Sequence, residues 1–455
     1  MKGYTEYRVP SQVWLDSIPS HWHEVRFKRI ATKLIRIPSE DAEVLICSNK
    51  GEVFFRGDKR IGLVAANDDG YQGVNVGDLL IHGMDTWHGA IAISRYSGKC
   101  TTVVHVCDSI QNKRYYAYFL RMYAFRKLYK AITNGVRQNT SDLRSWSKAA
   151  NIAVALPPRE EQDQIVRFLD WKVSEVNHFI RQKRREIALL TELMNTRIKE
   201  AVFGGLNPSA AKQDSGIHWV GDIPAHWKEK VLFEVAAEQS NSNKTVHNQN
   251  LLSLSYGKIV NKDINTTEGL LPASYDTYQV VDDGNIILRL TDLQNDKRSL
   301  RVGIATQTGI ITSAYTCLKA RGDDMLPHYL YLLLHSYDIC KVFYSMGGGV
   351  RQSIGYGEIK RMSLPIPPTD EQQAIINYCY ALRADTDKMI AELKREIALI
   401  TEYRTRMISD VVTGKVDVRD IAVPDVVTEE VIEESSDDEE SDDITDEEVE
   451  ENADD

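Results

Sequence analysis

Arg137-Gln138 and Arg351-Gln352 each follow a Gly-Val pair, at corresponding places in two parts of the chain. A guanidinium can fork onto the O6 and N7 of guanine, and a glutamine onto the N6 and N7 of adenine. Either side chain can instead hold a phosphate. Because both places carry the same two side chains, phosphate anchoring suits them better than the reading of two different base sequences. The plainer alternative makes each arginine a tie between its loop and the helix beside it. Asn134, Asn139 and Ser353 stand next to these pairs and can support the loops. Other basic residues fall where the two parts differ: Arg56, Lys59 and Arg60 in the first, and Lys244, Arg289, Lys297, Arg298 and Arg301 in the second. They are the candidates for base contact, set against an ordinary role as solvated surface charge.

Catalytic chemistry finds no such foothold. A base-flipping methyltransferase needs an Asn-Pro-Pro-Tyr or its equivalent and a glycine-rich cofactor loop, and neither occurs. Gly98-Lys99 and Gly414-Lys415 lack the upstream glycine and the hydroxyl residue of a phosphate loop. Glu358-Ile359-Lys360 has no acid in the fifteen residues before it, and Glu392-Leu393-Lys394 falls on a predicted helix. The cysteines Cys47, Cys100, Cys107, Cys317, Cys340 and Cys379 include no C-x-x-C pair and read as buried thiols. No metal site, catalytic residue or bound cofactor is expected on this chain.

The elements that hold these loops occur twice. Trp14, Ile18, Pro19, His21 and Trp22 recur with the same spacing as Trp219, Ile223, Pro224, His226 and Trp227. Pro157, Pro158, Glu161, Gln162 and Ile165 recur as Pro367, Pro368, Glu371, Gln372 and Ile375. Glu186 to Glu192 answers Glu396 to Glu402. Four ordered matches, counting the Gly-Val-Arg-Gln loops, establish an internal duplication. The tryptophans can stack on splayed bases, but their place around an Ile-Pro step before the first strand favours packing. His21 and His226 have no metal partner at useful spacing and read as structural hydrogen-bond groups.

Short β-rich runs at 43–48, 77–81 and 101–106 lead to a helical stretch at 113–129. Runs at 250–255, 284–288 and 312–319 lead to another at 327–344. A strand-turn pair at 48–53 has its counterpart at 253–259. Both long segments that follow carry apolar residues at three- and four-residue intervals. They are Ile165, Leu169, Val173, Val176, Ile180, Ile187, Leu190 and Met194, then Ile375, Cys379, Leu382, Ile390, Leu393, Ile397, Ile400 and Met407. That narrow seam predicts helices of coiled-coil type, each about 65 Å long at 1.5 Å per residue. A lone helix with an apolar seam is unstable in water, so the two are expected to pair, antiparallel for ease of connection. The predicted class is α/β: two mixed α/β modules in tandem, separated by two long helices, with an approximate two-fold relation. The boundaries read as 1–155 for the first module, 156–204 for the first long helix, 205–365 for linker and second module, 366–420 for the second long helix, and 421–455 for an acidic, disordered tail.

The net charge of -11 misleads, because Glu429 to Asp455 holds 17 acidic residues and no basic one; residues 1–428 carry +6. A mildly basic body can bind a polyanion, while its tail aids solubility or competes with DNA for basic faces. No apolar run of about twenty residues occurs, and the chain is expected in the cytoplasm without membrane contact.

At these motifs the chain resembles the specificity (S) subunit of type I restriction-modification systems. The family pattern W-x-G-x-I-P-x-x-W matches Trp219, Gly221, Ile223, Pro224 and Trp227; the first copy has Asp16 where the second has Gly221. Arg351, Pro367-Pro368, Glu371-Gln372 and the segment Val412 to Arg419 continue the match, which spans about residues 10–420. The resemblance implies a non-catalytic subunit that binds double-stranded DNA. Each target recognition domain would read one half of a bipartite, asymmetric target. The helices would set the spacing and dock two methyltransferase (M) subunits, with restriction (R) subunits joining that core. S-adenosylmethionine, ATP and Mg would belong to those partners. The rival expectation is a non-catalytic coiled-coil scaffold that joins two protein partners.

Overall fold

Strand-forming runs in this chain are short because glycine and aspartate interrupt them every few residues, and the sheets they build are small. The computed structural model describes residues 2–11, 13, 15–57, 70–129, 142–264, 274–291, 293, 300–346 and 353–424. Of the expected features, Trp14, Lys59, Arg60, Asn134, Arg137, Gln138, Asn139, Lys297, Arg298, Arg351, Gln352 and the acidic tail lie outside the described residues. Four main helices are α1 (Lys113–Phe125), α2 (Arg159–Gly204), α3 (Pro327–Ile339) and α4 (Thr369–Val412). They fall where the helical patterns were read, but α1 and α3 stop four to five residues early. Gly205 and Gly414 close α2 and α4 with φ of +73° and +74°, the left-handed conformation glycine adopts without strain.

Contacts divide the chain into two compact units, and the cut passes through both long helices. One unit holds residues up to Lys183 together with the stretch from Arg395 onward; the other holds Arg184–Lys394. Each unit therefore contains one module, the first part of the long helix that follows it, and the last part of the other long helix.

The two units repeat one sheet. In the first, an antiparallel sheet has the order 31–33, 104–109, 79–82, 91–93. In the second, the order is 236–238, 316–320, 286–288, 302–304. The expected strand-turn pairs are hairpins: Leu45–Cys47 pairs with Val53–Phe55, and Leu252–Ser255 with Lys258–Asn261. Tyr256 and Gly257 take positive φ in the second turn, as a two-residue hairpin turn requires. A final pair closes each module, 23–26 against 153–156 and 228–231 against 363–366.

Cores form where the module helix meets the two long ones. In the first unit Tyr115, Phe119 and Tyr123 of α1 pack with Ile165, Phe168 and Leu169 of α2 and with Met407, Ile408 and Val411 of α4. In the second, Tyr329, Leu330 and Leu333 of α3 pack with Ile198, Ala201 and Val202 of α2 and with Ile375 and Cys379 of α4. The buried tyrosines still find acceptors for their hydroxyls. Tyr115 donates to the Val412 carbonyl (3.0 Å), and its counterpart Tyr329 donates to that of Val202 (3.1 Å). Within the first unit α2 and α4 run antiparallel. Gln164 Nε2 donates to the Val418 carbonyl (3.0 Å), Arg404 Nη1 to Asn177 Oδ1 (2.5 Å), and Lys183 Nζ lies 3.0 Å from Glu396 Oε2. Ascending positions on one helix meet descending positions on the other.

The six cysteines are free thiols, and all but Cys340 are buried. Burial pushes Cys47, Cys100, Cys107 and Cys317 up to about 12, which leaves no nucleophilic thiolate at neutral pH.

Candidate nucleic-acid interface

A loop can present a side chain only as firmly as its ends are held, and the duplicated motifs hold them. Acid in a first helical turn suits the helix dipole, which by itself accounts for Glu161 and Glu371. Their carboxylates also do something more specific. Glu161 accepts from Trp22 Nε1 (3.1 Å), lies 2.9 Å from His21 Nε2 and takes the hydroxyl of Tyr4. Glu371 accepts from Trp227 Nε1 (3.1 Å) and lies 2.8 Å from His226 Nε2. Burial and the neighbouring Glu161 hold the Tyr4 hydroxyl far above its ordinary pKa, so it stays a donor. The next residues act in parallel. Gln162 accepts from the main chain of Asn112 (3.1 Å) and donates to the Pro157 carbonyl (2.8 Å). Gln372 accepts from that of Leu326 (2.9 Å) and donates to the Pro367 carbonyl (2.9 Å). The Pro-Pro-x-x-Glu-Gln step thus ties the start of a long helix to the Trp motif on one side and to the module helix on the other.

The far end of the other long helix meets the same joint. A Cβ at Gly414 would lie 2.5 Å from the Pro19 ring and 3.0 Å from Trp22, and one at Gly205 would lie 2.8 Å from Glu371 Oε1 and 3.3 Å from Trp227. Trp22 and Trp227 are buried here, so they pack rather than stack on bases. Gly221 has φ of +75° and shapes the turn before the second motif; Asp16 takes no positive φ, and the first copy makes its turn differently.

The described residues that flank the expected contact segments are held in matching ways. In the first unit Leu143 N donates to the Gly83 carbonyl (2.9 Å), which ties the end of segment 130–141 to the loop after strand 79–82. In the second, Ile354 N donates to the Leu290 carbonyl (2.9 Å), which ties the end of segment 347–352 to the loop after strand 286–288. Ile354, two residues after Arg351-Gln352, therefore stands beside Leu290, seven residues before Lys297-Arg298, although 52 residues of sequence separate the two pairs.

Among the candidates that are described, Arg56 is half-buried at the end of the first hairpin, its main chain donating to Val44 (2.8 Å). Lys244 is exposed. Arg289 is half-buried, and its Nε is shielded with no hydrogen-bond partner among the described residues. Arg301 corrects an expectation: it is fully buried and cannot read a base. Its Nε donates to Tyr344 Oη (3.0 Å), and its Nη1 to the carbonyls of Thr291 (2.7 Å) and Arg289 (3.2 Å). Arg121 escaped sequence reading altogether. Burial lowers its pKa, its Nε has no partner among the described residues, and its guanidinium lies against Gly51, where any side chain would collide. No spacing rule marks either residue, because their partners come from distant turns.

Residues 234–399 match the family model described as the type I restriction modification DNA specificity domain. A Methanocaldococcus jannaschii protein named for the specificity subunit of the MjaX type I restriction enzyme is 23% identical over 363 residues, covering 76% of this chain and 79% of that one. The type I restriction enzyme MjaVIII specificity subunit of the same organism is 22% identical over 365 residues, covering 76% and 81%. A solved structure from work on complex assembly and conformational transition of the type I R-M system is similar in fold, with a TM-score of 0.63 and 14% identity. It covers 88% of this chain and 99% of that one. Among the described residues, no helix is long and apolar enough to cross a membrane.

Proposed function

This chain is similar to type I restriction-modification specificity subunits in sequence and in fold, and on that premise we propose that it selects the DNA target of such a complex. It is a DNA-recognition subunit rather than an enzyme. Each unit reads one half of a bipartite, asymmetric target, and the long helices set the gap between the halves. The observation that carries this reading is the duplication itself: one sheet order, one Trp-Glu joint and one pair of tied loop ends, built twice. Shared residues such as Arg137-Gln138 and Arg351-Gln352 anchor phosphates. Residues that differ, among them Arg56, Arg60, Arg289, Lys297 and Arg298, bear on the bases.

The helices also offer a place for two methyltransferase subunits. Leu189 and Leu193 on α2, and their repeats Leu399 and Tyr403 on α4, are each about half exposed. Beside each stretch runs a groove. One, of about 790 Å³, is lined by Phe125, Ala398, Thr401 and Glu402; the other, of about 460 Å³, by Ile339, Ala188, Thr191 and Glu192. Apolar side chains repeated on a solvent-facing helix favour a protein partner taken up twice. S-adenosylmethionine, ATP and Mg are assigned to the methyltransferase and restriction subunits.

Deleting the gene and mapping methylated adenines genome-wide tests the reading. Loss of one bipartite methylation pattern is expected; an unchanged map would sink it. Replacing residues 211–365 with another such module should change one half of the target only, and a change in both halves would refute one unit per half-site.

A further inference from the structure

We infer that the turn of the second unit's hairpin is a DNA-reading tip, in which Tyr256 meets a base edge of the second half-site and Lys258 a phosphate beside it. The inference rests on the specificity reading above. The hairpin of Leu252–Ser255 and Lys258–Asn261 has two unlike faces. Leu252 and Leu254 are buried on one of them. A Cβ at Gly303, in strand 302–304, would lie 2.6 Å from Leu254 Cδ1 and 3.1 Å from Ile259 Cδ1, so this face is seated on the sheet. At the turn, Ser255, Tyr256 and Lys258 are exposed. The tip therefore presents a hydroxyl, a phenol and an ammonium.

Core packing does not require a tyrosine there. Tyr256 is 47% exposed, and its φ of +45° is a left-handed conformation that glycine or asparagine takes more easily than a bulky side chain. Such residues usually fill both central places of a two-residue turn. Gly257 meets that demand with φ of +77° and is buried; a Cβ there would lie 3.0 Å from Leu300 Cβ and 3.4 Å from the Val302 carbonyl. The turn is thus held from below at Gly257, while the strained Tyr256 stays half exposed. Strain of this kind gathers at binding sites.

The first unit has its turn in the corresponding place. Gly51, with φ of +81°, lies against the Arg121 guanidinium, and the Asn49 carbonyl would lie 3.5 Å from a Cβ at Gly89, in the loop after strand 79–82. Leu300, beneath Gly257, belongs to the connection after strand 286–288. Each turn is buttressed by the connection that follows the same strand of the duplicated sheet. The exposed side chains differ: Asn49 and Lys50 in the first unit, Tyr256 and Lys258 in the second. Shared placement with unshared side chains is what two readers of unlike half-sites need. A two-stranded ribbon fits the major groove, where a phenol hydroxyl can donate or accept at a base edge and a lysine can hold a phosphate.

The test uses the full chain bound to its methyltransferase subunits and the duplex identified by methylation mapping. Competition binding compares that duplex with versions scrambled in the first half, in the second half or in both. Tyr256→Asn relieves the left-handed strain, so its melting temperature should equal or exceed the parent's. Its discrimination at the second half should fall on the order of tenfold, with the first half and random duplex unaffected. Undiminished discrimination at the second half would overturn the inference. So would a lowered melting temperature with parallel loss at both halves, since Tyr256 would then be a packing residue. Lys258→Gln should weaken target and random duplex alike and make the salt dependence of binding shallower by about one charge; an unchanged salt dependence would take the tip off the DNA. If the unaltered complex discriminates neither half, the specificity reading itself fails. That result is distinct from one in which the parent and Tyr256→Asn discriminate both halves equally, which overturns the inference alone.

Discussion

Glu161 and Glu371 show how one residue type serves two ends. Removing a buried acceptor leaves its donors without partners, at about 1–3 kcal/mol for each lost bond. Glu161 takes Tyr4, Trp22 and His21, and its side chain is 5% exposed; Glu371 takes Trp227 and His226 and is 23% exposed. Thermal melting should therefore show Glu161→Ala to be the more destabilising substitution. Equal losses would mean that burial does not set the worth of the joint. His335 gives the second prediction at this scale. Burial lowers it to about 3, with the nearby Arg383 adding to the effect, and its Nδ1 has no partner among the described residues. The folded state thus refuses a proton that the unfolded chain takes up below about 6.5. The contribution is fully present above that pH and is lost as pH falls toward 3, by up to about 1.4 kcal/mol per unit. Urea melts of His335→Gln should depend less steeply on pH between 6 and 4 than those of the parent; identical slopes would refute it.

The elements repeat more faithfully than the sequence does. A long helix enters each joint through Pro-Pro and Glu-Gln, and the other long helix arrives there through a glycine of positive φ. Alanine at either glycine costs about 1 kcal/mol for the backbone alone. The surroundings then decide the difference. At Gly414 the new methyl meets the Pro19 ring, which the backbone holds in place, whereas at Gly205 it meets the end of the flexible Glu371 side chain. Gly414→Ala should lower stability by roughly 2–4 kcal/mol and Gly205→Ala by about half as much. Chemical denaturation that ranks them in the opposite order would show that the joint relaxes around Pro19.

At the scale of the whole molecule, the proposed function makes the long helices a ruler. A heptad added to both α2 and α4 preserves the apolar seam. It should change the gap between half-sites while each half-sequence stays the same, as read by methylation mapping. Survival of the original gap would refute the ruler. Each compact unit takes its second helical segment from the opposite copy of the duplicated sequence. A swap of residues 211–365 alone therefore leaves the joint residues Glu161, Gly205, Glu371 and Gly414 in place.

The duplication, the α/β class, the two long helices and the lack of catalytic motifs were legible in the residues, because each depends on local spacing. Apolar periodicity sets a helix face, Pro and Gly set its ends, and a motif repeated in order signals a repeated unit. The pairings across the chain were not legible. Nothing near Glu161 in sequence says that it will accept from Tyr4 and Trp22, and nothing near Arg301 distinguishes a buried clamp from a surface arginine. Of the basic residues read as candidates for DNA contact, Arg56 and Arg289 are half-buried, Lys244 is exposed and Arg301 is buried, while Lys59, Arg60, Lys297, Arg298 and both Arg-Gln pairs lie outside the described residues. Whether a basic side chain faces solvent or the interior depends on partners brought together by folding, so only the tertiary structure could move Arg301 from the candidate base readers to the buried interior.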